Sequence, residues 1–376
     1  MQFTIRQNTL LNTIQTVSKA VAVRTTKQVL TGILLQATEK ELTATAYDLD
    51  LGIQDTVPAN EETGLRIAQP GQIVLPARLL TDLVRKLPSS EIQVTVHTNY
   101  VTEIRAGSAQ FHIHGIDAAE FPTLPVLHAP ETLQISAPLL KDIIHTTGFA
   151  ISTVEARPIL TGVHVECKNQ ALTFTATDGL RLATRTVRLE IPEEFAWNVV
   201  IPGKSLNELA KILPDDEQVV VVQFTDTHCL FQSGSTLFYT RLIEGTYPDT
   251  KRIIPKTYQT EVAVVLDDML GAIDRASLIA RERENHMVRM EVHDDVINVS
   301  SSSPELGHVL ESVGVVEKTG EDLFIAFNAR YVMDALRASS AAEVLFRFNG
   351  ANQPFTIVTR GDESAALQLI SPVLVR

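Results

Sequence analysis

The chain has 376 residues, of which 44% are hydrophobic and 20% are charged, so it is long enough for two or three domains with buried cores. Its formal net charge of −13 argues against a protein that grips nucleic acid through a broadly basic surface. No apolar run approaches the roughly 20 residues that a membrane-spanning helix needs, and the N-terminal sequence lacks the basic and apolar regions of a secretion signal.

An amphipathic helix comes first along the chain, after one short strand. In NTLLNTIQTVSKAV, apolar residues recur at helical spacing from Leu10 onward, which predicts a helix over 9–20. A second helix is predicted over 77–87, with Pro76 at its start and Pro88 after its last turn. Alternating apolar residues in KELTATAY and EIQVTVHT predict strands on both sides of this second helix.

The same text then recurs further along the chain. IPGKSLNELAKILPDDE (201–217) matches LPARLLTDLVRKLPSSE (75–91) with a shift of 126 residues and no gap. LTGVHVECKNQALTFTATD (160–178) matches LTGILLQATEKELTATAYD (30–48) with a shift of 130, and FNARYVMDALRASSAAE (327–343) is a weaker third copy of the helix. Because a fixed period indicates an internal repeat, the sequence predicts three domains. Their predicted bounds are 1–127, 128–253 and 254–376.

Each predicted domain holds two helices and several alternating strands, which indicates α+β domains with paired helices on antiparallel sheets. The six predicted helices are 9–20, 77–87, 138–151, 204–213, 267–283 and 329–338. They contain 12 Lys and Arg against 8 Asp and Glu, whereas the remaining chain is strongly acidic. Two interpretations of this excess of cations in the helices stay open. One is the helical propensity of lysine and arginine, and the other is a mildly basic helical face that slides along a polyanion.

Several residues are candidates for chemical sites. Asp48 and Asp178 hold equivalent repeat positions, with Ser303 in the third copy; turn formation explains them, and a hydrolase is the alternative. His112 and His114 share one strand face, but a third metal ligand is not near them in the sequence. The chain has no phosphate-binding loop, dinucleotide fingerprint or nucleophile elbow. We therefore predict a protein without catalysis, metal or cofactor.

The two cysteines, Cys167 and Cys229, lie in strand-like sequence without metal-ligand spacing. We interpret both as buried bystander thiols, which suits a reducing compartment. The sequence therefore predicts a cytoplasmic protein.

Short motifs run in a fixed order through essentially the whole chain: LTGILL, VLPARLLTDLVRKLP, EFPTLP, RPILTGV, TATDGLRLA, IPGKSLNELAKIL, EGTYPD, GEDLFIAFNARYVMDAL and LISPV. In this order the sequence resembles the bacterial DNA sliding clamp, the beta subunit of the replicative DNA polymerase III. The resemblance implies a head-to-tail homodimer, a ring of six similar domains whose helices line a hole. The ring would encircle duplex DNA and act as a processivity factor; a repeat scaffold that binds only proteins is the alternative.

The resemblance also implies partners. Duplex DNA would be held topologically and without sequence specificity, with nucleoid association during replication. The replicative polymerase, the clamp loader, repair polymerases and other proteins with clamp-binding motifs would bind the ring, and no membrane would be involved.

Three sets of site residues carry over from the resemblance. The DNA-facing residues are Arg24, Arg78, Arg157, Lys204 and Arg330. The pocket for partner peptides comprises Leu160, Thr177, Gly179, Arg181, Leu182, Pro248, Arg252, Ile253, Pro372 and Val373. The dimer contact joins Phe111 and Ile113 of one protomer to Leu278 and Ile279 of the other. A solvated charge is the alternative for each cation, and packing inside the domain is the alternative for Phe111 and Ile113.

Some positions depart from the family pattern. Leu180 and Ser371 stand where relatives often carry other residue types, which predicts a changed subsite in the pocket. Ser108 and Gln110 replace residues that are sometimes basic in relatives, so ionic dimer contacts are not carried over. The C-terminal LVR also differs from the usual ending.

Overall fold

A computed structural model describes residues 1–125, 132–192, 195–280 and 286–374. The predicted domain boundary at 127/128, the predicted helix end at 281–283 and the last two residues of the tail lie outside the described residues. Within the described ranges, the elements follow one order three times: a strand, a helix, a group of strands, a second helix and three strands.

The first pass through this order spans the N-terminal third of the chain. It comprises β1 (Gln2–Arg6), α1 (Gln7–Val17), β2 (Gly32–Ala37), β3 (Glu41–Tyr47), β4 (Leu51–Pro58), β5 (Arg66–Gln69), β6 (Gly71–Pro76), α2 (Ala77–Lys86), β7 (Glu91–Val96), β8 (Val101–Ala106) and β9 (Ala109–His114).

The second and third passes repeat it. The second comprises β10 (Thr132–Ser136), α3 (Ala137–Gly148), β11 (Gly162–Lys168), β12 (Ala171–Thr177), β13 (Arg181–Arg188), β14 (Trp197–Pro202), α4 (Gly203–Ile212), β15 (Val219–Phe224), β16 (His228–Ser233) and β17 (Thr236–Arg241). The third comprises β18 (Thr260–Val265), α5 (Leu266–Ala280), β19 (Met287–Val292), β20 (Val296–Ser303), β21 (Gly307–Gly314), β22 (Glu317–Thr319), β23 (Leu323–Asn328), α6 (Ala329–Arg337), β24 (Glu343–Phe348), β25 (Phe355–Thr359) and β26 (Ala366–Ile370).

The bounds of α2 follow from its sequence. Pro76 lies directly before the helix, where a missing N–H leaves no helical hydrogen bond unmade. Leu80, Leu83 and Val84 are buried on one face. The residue before Pro88 cannot easily stay helical, and Leu87 is extended, with φ −65° and ψ 141°. The helix therefore ends one residue earlier than predicted.

The third copy of this helix, α6, begins differently. Asn328 stands where the other two copies have proline, and its side chain accepts the N–H of Arg330 at 2.9 Å. An N-cap of this kind satisfies a backbone donor that the first turn leaves free. The third repeat therefore starts the same helix by a different chemical means.

The described residues form two compact units. The first contains residues 1–138 and 211–242. Among its described residues, one sheet has the order β5-β1-β7-β8-β9 and the other has the order β10-β15-β16-β17-β4-β3-β2-β6, with every pair antiparallel. Helices α1 and α2 pack against each other, and α1 covers β3 and β4.

The second unit contains residues 139–210 and 243–376. Among its described residues, one sheet has the order β14-β11-β12-β13-β26-β25-β24-β18-β22 and the other has the order β21-β20-β19-β23. Helices α5 and α6 pack on each other and share a core with both sheets, centred on side chains such as Ile273, Phe327 and Phe346. The predicted α+β class, with three repeats of helices on antiparallel sheets, is confirmed.

The sheets continue from one repeat into the next. In the first unit, β4 of the first repeat pairs with β17 of the second, with Ile53 opposite Phe238. In the second unit, β13 of the second repeat pairs with β26 of the third, with Leu182 opposite Leu369. Each repeat junction is therefore a continuous stretch of sheet, and the predicted peptide pocket falls at the second junction.

Candidate DNA and peptide interfaces

A tight turn joins β12 to β13 at the second junction. Asp178 Oδ1 accepts the N–H of Leu180 at 2.9 Å and that of Arg181 at 3.0 Å. Thr177 Oγ1 donates to the carbonyl oxygen of Arg181 at 2.6 Å and accepts the N–H of Gly179 at 3.1 Å. Gly179 has a φ of 94°, a left-handed conformation that favours glycine. These bonds fix the turn on which four of the ten predicted pocket residues lie.

The same turn occurs in the other two repeats. Asp48 Oδ1 accepts the N–H groups two and three residues ahead at 3.0 and 2.7 Å. Ser303 Oγ does the same at 3.3 and 3.4 Å. The predicted turn role of Asp48 and Asp178 accounts for both carboxylates, because each caps backbone donors in its own turn.

Arg181 lies in this turn, and its guanidinium forms ion pairs within the same chain. Its side chain is 11% exposed, and it pairs with Asp178 at 3.0 Å and with Asp334 of α6 at 2.7 Å. The guanidinium carbon also lies 4.6 Å from the ring centroid of Tyr331 and 5.4 Å from that of Phe149. The guanidinium of Arg181 therefore connects the second repeat to the third.

The apolar residues of the predicted pocket are mostly buried. Leu160 and Leu182 are 5% and 1% exposed, and Leu160 packs with Tyr247. The Tyr247 hydroxyl accepts the N–H of Thr177 at 3.1 Å, and burial raises the pKa of Tyr247 to about 12. Tyr247 thus holds the loop that contains Pro248 against the turn at Thr177.

The C-terminal residues of the predicted pocket lie beside the same turn. The N–H of Ser371 donates to the carbonyl of Leu180 at 2.9 Å, and the N–H of Val373 donates to the carbonyl of Ala326 at 2.7 Å. Pro372 lies between these two anchored residues and is half-buried. Leu180 itself is 55% exposed, so this departure from the family pattern faces outward.

The remaining pocket residues lie on an exposed loop. Pro248, Arg252 and Ile253 are exposed, and Arg252 pairs with Asp249 at 2.8 Å. Ile253 keeps half of its surface exposed and donates its N–H to the carbonyl of Thr250 at 3.2 Å. The predicted set therefore divides into a buried base and an exposed loop, connected through Tyr247.

The five predicted DNA-facing cations are all exposed. Arg78, Lys204 and Arg330 are each the second residue of α2, α4 and α6, while Arg24 and Arg157 lie in loops. In the part of the chain that the structure describes, none of the five forms a salt bridge. Other helical cations do: Arg85 pairs with Asp82 and Arg337 with Asp274.

Two exposed valines accompany the loop arginines. Val23 is 92% exposed next to Arg24, and Val154 is 61% exposed three residues before Arg157. Sequence reasoning missed both valines. It also missed Tyr247, whose position inside the EGTYPD motif was the available signal.

The predicted dimer residues differ in exposure. Phe111 lies on β9, at the edge of its sheet, and is 42% exposed, whereas Ile113 is 7% exposed. On α5, Leu278 is 54% exposed and Ile279 is half-buried. Packing inside the domain therefore accounts for Ile113, and Phe111 and Leu278 are the residues with free apolar surface.

The remaining features of the described residues concern metal binding and membrane crossing. His112 and His114 are exposed on β9. The described ranges contain no cluster of three or more His, Cys, Asp or Glu that could hold a metal ion. In those same ranges, no helix has both the length and the apolar character that crossing a membrane requires.

Comparison with known proteins gives consecutive matches along the chain. The DNA polymerase III beta subunit family matches with its N-terminal domain at residues 1–125, its central domain at 134–249 and its C-terminal domain at 251–373.

Individual relatives match over their full length. The beta sliding clamp of Bacillus subtilis is 44% identical over 376 residues, 99% of each chain, and that of Staphylococcus aureus strain Mu50 is 39% identical over 375 residues, also 99% of each. The crystal structure of the Bacillus subtilis clamp covers 100% of both chains at 43% identity, with a TM-score of 0.96.

The fold and its repeated helices are those of the sliding clamps. The chain belongs to the DNA polymerase III beta subunit family. Membership confirms the predicted sliding-clamp function and the predicted non-catalytic role as a processivity factor.

Proposed function

We propose that two copies of the chain close head to tail into a ring that encircles duplex DNA. The observation that carries this proposal is the repeated placement of unpaired cations. Arg78, Lys204 and Arg330 occupy one position on equivalent helices, and among the described residues none has an ion-pair partner. An unpaired cation can contact phosphate without first breaking a salt bridge.

Few such contacts are needed on an acidic chain. Each phosphate contact adds about −0.9 to the slope of log affinity against log salt, so a handful of contacts weaken quickly at physiological salt. Weak, sequence-blind contacts allow sliding, and a closed ring prevents loss of the DNA by linkage. The net charge of −13 suits retention by encirclement and not by adhesion.

The test compares DNA topologies. The protein is loaded by its clamp loader onto nicked circular DNA and onto the same DNA after linearisation, then washed with salt that strips a basic DNA-binding protein. We expect retention on circles and loss from free ends. Equal loss from both DNAs would contradict encirclement.

The dimer contact is proposed to form between two sheet edges. In the first unit, β9 is an edge strand with Phe111 exposed. In the second unit, β21 is an edge strand packed against α5, where Leu278 is exposed. Edge strands have free backbone donors and acceptors. Pairing β9 of one copy with β21 of the other would satisfy these groups on both strands. Phe111 of one copy would then cover Leu278 of the other.

We further propose that the second junction binds short peptides of the replicative polymerase, the clamp loader and repair polymerases. Leu160 and Leu182 supply an apolar base, and Ile253 and Pro372 supply partly exposed apolar surface. A mainly apolar site with few polar groups suits aliphatic anchors of an extended peptide.

The peptide proposal is tested on the exposed residues. Because Leu182 is buried, its substitution would also disturb the core, so Ile253→Ser and Pro372→Ala are the cleaner variants. We expect either variant to weaken a fluorescent clamp-motif peptide of the polymerase at least tenfold, while Leu374→Ser, also exposed, serves as a nearby control. Unchanged peptide affinity in both pocket variants would contradict the assignment.

The domain bounds remain a proposal at 127/128 and 253/254. The family matches break between 125 and 134, which brackets the first bound, and between 249 and 251, a few residues before the second. Limited proteolysis should cut first near these positions, and early cuts inside β12 or β24 would argue for other bounds.

A cytoplasmic location with nucleoid association follows from the same proposed role, and a fluorescent fusion should form foci only during replication.

A further inference from the structure

The first repeat junction has the same backbone arrangement as the second. Gly52 pairs with Tyr239 in the first junction, and Leu182 pairs with Leu369 in the second. Each partner in the second pair lies 130 residues after its counterpart. The strand register is therefore identical at both junctions, although only the second was predicted to bind peptides.

The hydrogen bond beside the turn is also repeated. At the first junction the N–H of Arg241 donates to the carbonyl of Asp50 at 2.8 Å. At the second junction the N–H of Ser371 donates to the carbonyl of Leu180 at 2.9 Å. The two sites thus share strands, turn and closing bond, and differ in their side chains.

The main difference is the residue that fills the base. A Cβ built on Gly52 would lie 2.5 Å from Leu124 Cδ2 and 3.1 Å from Tyr47 Cδ2. Leu124 therefore occupies the space that the Leu182 side chain fills from the strand at the second junction. It packs on a buried cluster that includes Tyr47 and Phe121.

The loop positions explain how one junction is covered. Pro122 corresponds to Pro248 in the repeat, which places Leu124 at the position of Thr250. An aliphatic side chain at this position anchors the loop over the base of the first junction. At the second junction the base has its own leucine, and the loop leaves Ile253 half exposed.

We infer that the first junction is a closed copy of the peptide pocket, held shut by Leu124 of the same chain, and that it accepts a peptide with an aliphatic anchor once that side chain is removed. The inference rests on the proposed function of the second junction as the open pocket. Displacing the partly buried Leu124 from its cluster weakens a competing peptide by roughly 10-fold or more, so the unaltered chain binds one peptide.

The experiment counts peptides per chain by calorimetry, using the polymerase clamp-motif peptide. The unaltered chain should bind one, and Ile253→Ser should bind none at the same concentrations; absence of binding to the unaltered chain would refute the proposed pocket itself. Leu124→Ala in the Ile253→Ser background should regain one site per chain.

A second variant guards against misfolding. Gly52→Leu with Leu124→Ala, also in the Ile253→Ser background, places the leucine on the strand as at the second junction. Gly52 lies outside the left-handed region, so its backbone accepts a side chain. Both variants should bind one peptide, and a photo-crosslinking peptide should label residues near Tyr47. The inference would be overturned if both variants kept the unfolding temperature of the unaltered chain but bound no peptide. Labelling confined to the second junction would also overturn it.

Discussion

The guanidinium of Arg181 donates to Asp334 at 2.7 Å, which connects β13 of the second repeat to α6 of the third. The same group pairs with Asp178 and lies over the ring of Tyr331. Replacing Arg181 by Met would keep the aliphatic stem but leave two carboxylates without their partner. We expect Arg181→Met to destabilise the second unit by about 3 kcal/mol, as for other largely buried ion pairs.

Hydrogen exchange of the β13 amides measures this effect locally. Arg85→Met is the matched control, because Arg85 and Asp82 form an exposed pair at 3.5 Å. An exposed pair contributes less than about 1 kcal/mol. Equal protection of β13 in both variants would show that the Arg181 network does not hold the junction.

A backbone prediction concerns Gly179 and Leu49, which occupy equivalent turn positions. Both have left-handed φ values, 94° and 84°. No atom lies within 4 Å of a Cβ built on Gly179, so Gly179→Ala costs only the conformational term, about 1–2 kcal/mol. Leu49→Gly should change stability by less than about 1 kcal/mol, because released strain and added unfolded-state entropy oppose each other.

Denaturant unfolding of both variants checks these two values. If Gly179→Ala proved neutral, then the left-handed turn would not be required in the folded state. If Leu49→Gly were strongly destabilising, then the half-exposed Leu49 side chain would contribute packing that outweighs its strain.

The repeat explains why so much of the fold could be predicted. The apolar spacing of α2 and its flanking prolines recur at 126 residues, so a single argument located two helices. Turn-forming Asp48 and Asp178 were predicted for the same reason, and their hydrogen bonds confirm it.

The supporting contacts could not be predicted in this way. Asp334 lies more than 150 residues from Arg181, and the link between them depends on how α6 packs on the sheet. The burial of Ile113 and exposure of Phe111, two residues apart on β9, likewise depend on which neighbours cover the edge strand. Leu124 over Gly52 is visible only once the loop is placed.

Alkaline pH should weaken the second junction through Tyr247. Burial raises the pKa of Tyr247 from 10.0 to about 12, so the fold favours the neutral phenol. The corresponding stability is complete below pH 10 and is lost as the pH rises towards 12. Between pH 9 and 11 the unaltered protein should therefore lose about 1 kcal/mol more than Tyr247→Phe.

Urea unfolding of the two proteins at both pH values measures this difference. The hydrogen bond that Thr177 donates to the hydroxyl is lost in Tyr247→Phe at both pH values, so it does not affect the comparison. Parallel losses in the two proteins would mean that the Tyr247 phenol ionises normally in the folded state.

The unpaired cations should determine the salt dependence of DNA binding. Replacing Arg78, Lys204 and Arg330 together by alanine removes six cations from a ring of two copies, and should reduce the slope of log affinity against log salt by up to about 5 if each contacts one phosphate. Arg66→Ala is the control, since Arg66 is already paired with Glu91 at 2.9 Å. A triple variant with the parental slope would place these helix positions away from the DNA.

Two aliphatic side chains of similar exposure allow dimer closure and peptide binding to be separated. Leu278 is 54% exposed and Ile253 is 51% exposed, so serine at either position should alter the fold little. Leu278→Ser should weaken the dimer, because a buried leucine contributes about 1.5–3 kcal/mol per contact and the dimer buries it twice. Ile253→Ser should leave the dimer intact and weaken binding of the polymerase peptide.

Sedimentation over a dilution series and peptide titration measure the two properties in both variants. We expect loss of dimerisation only in Leu278→Ser and loss of peptide affinity only in Ile253→Ser. Loss of both properties in one variant would instead mean that the two surfaces are not independent.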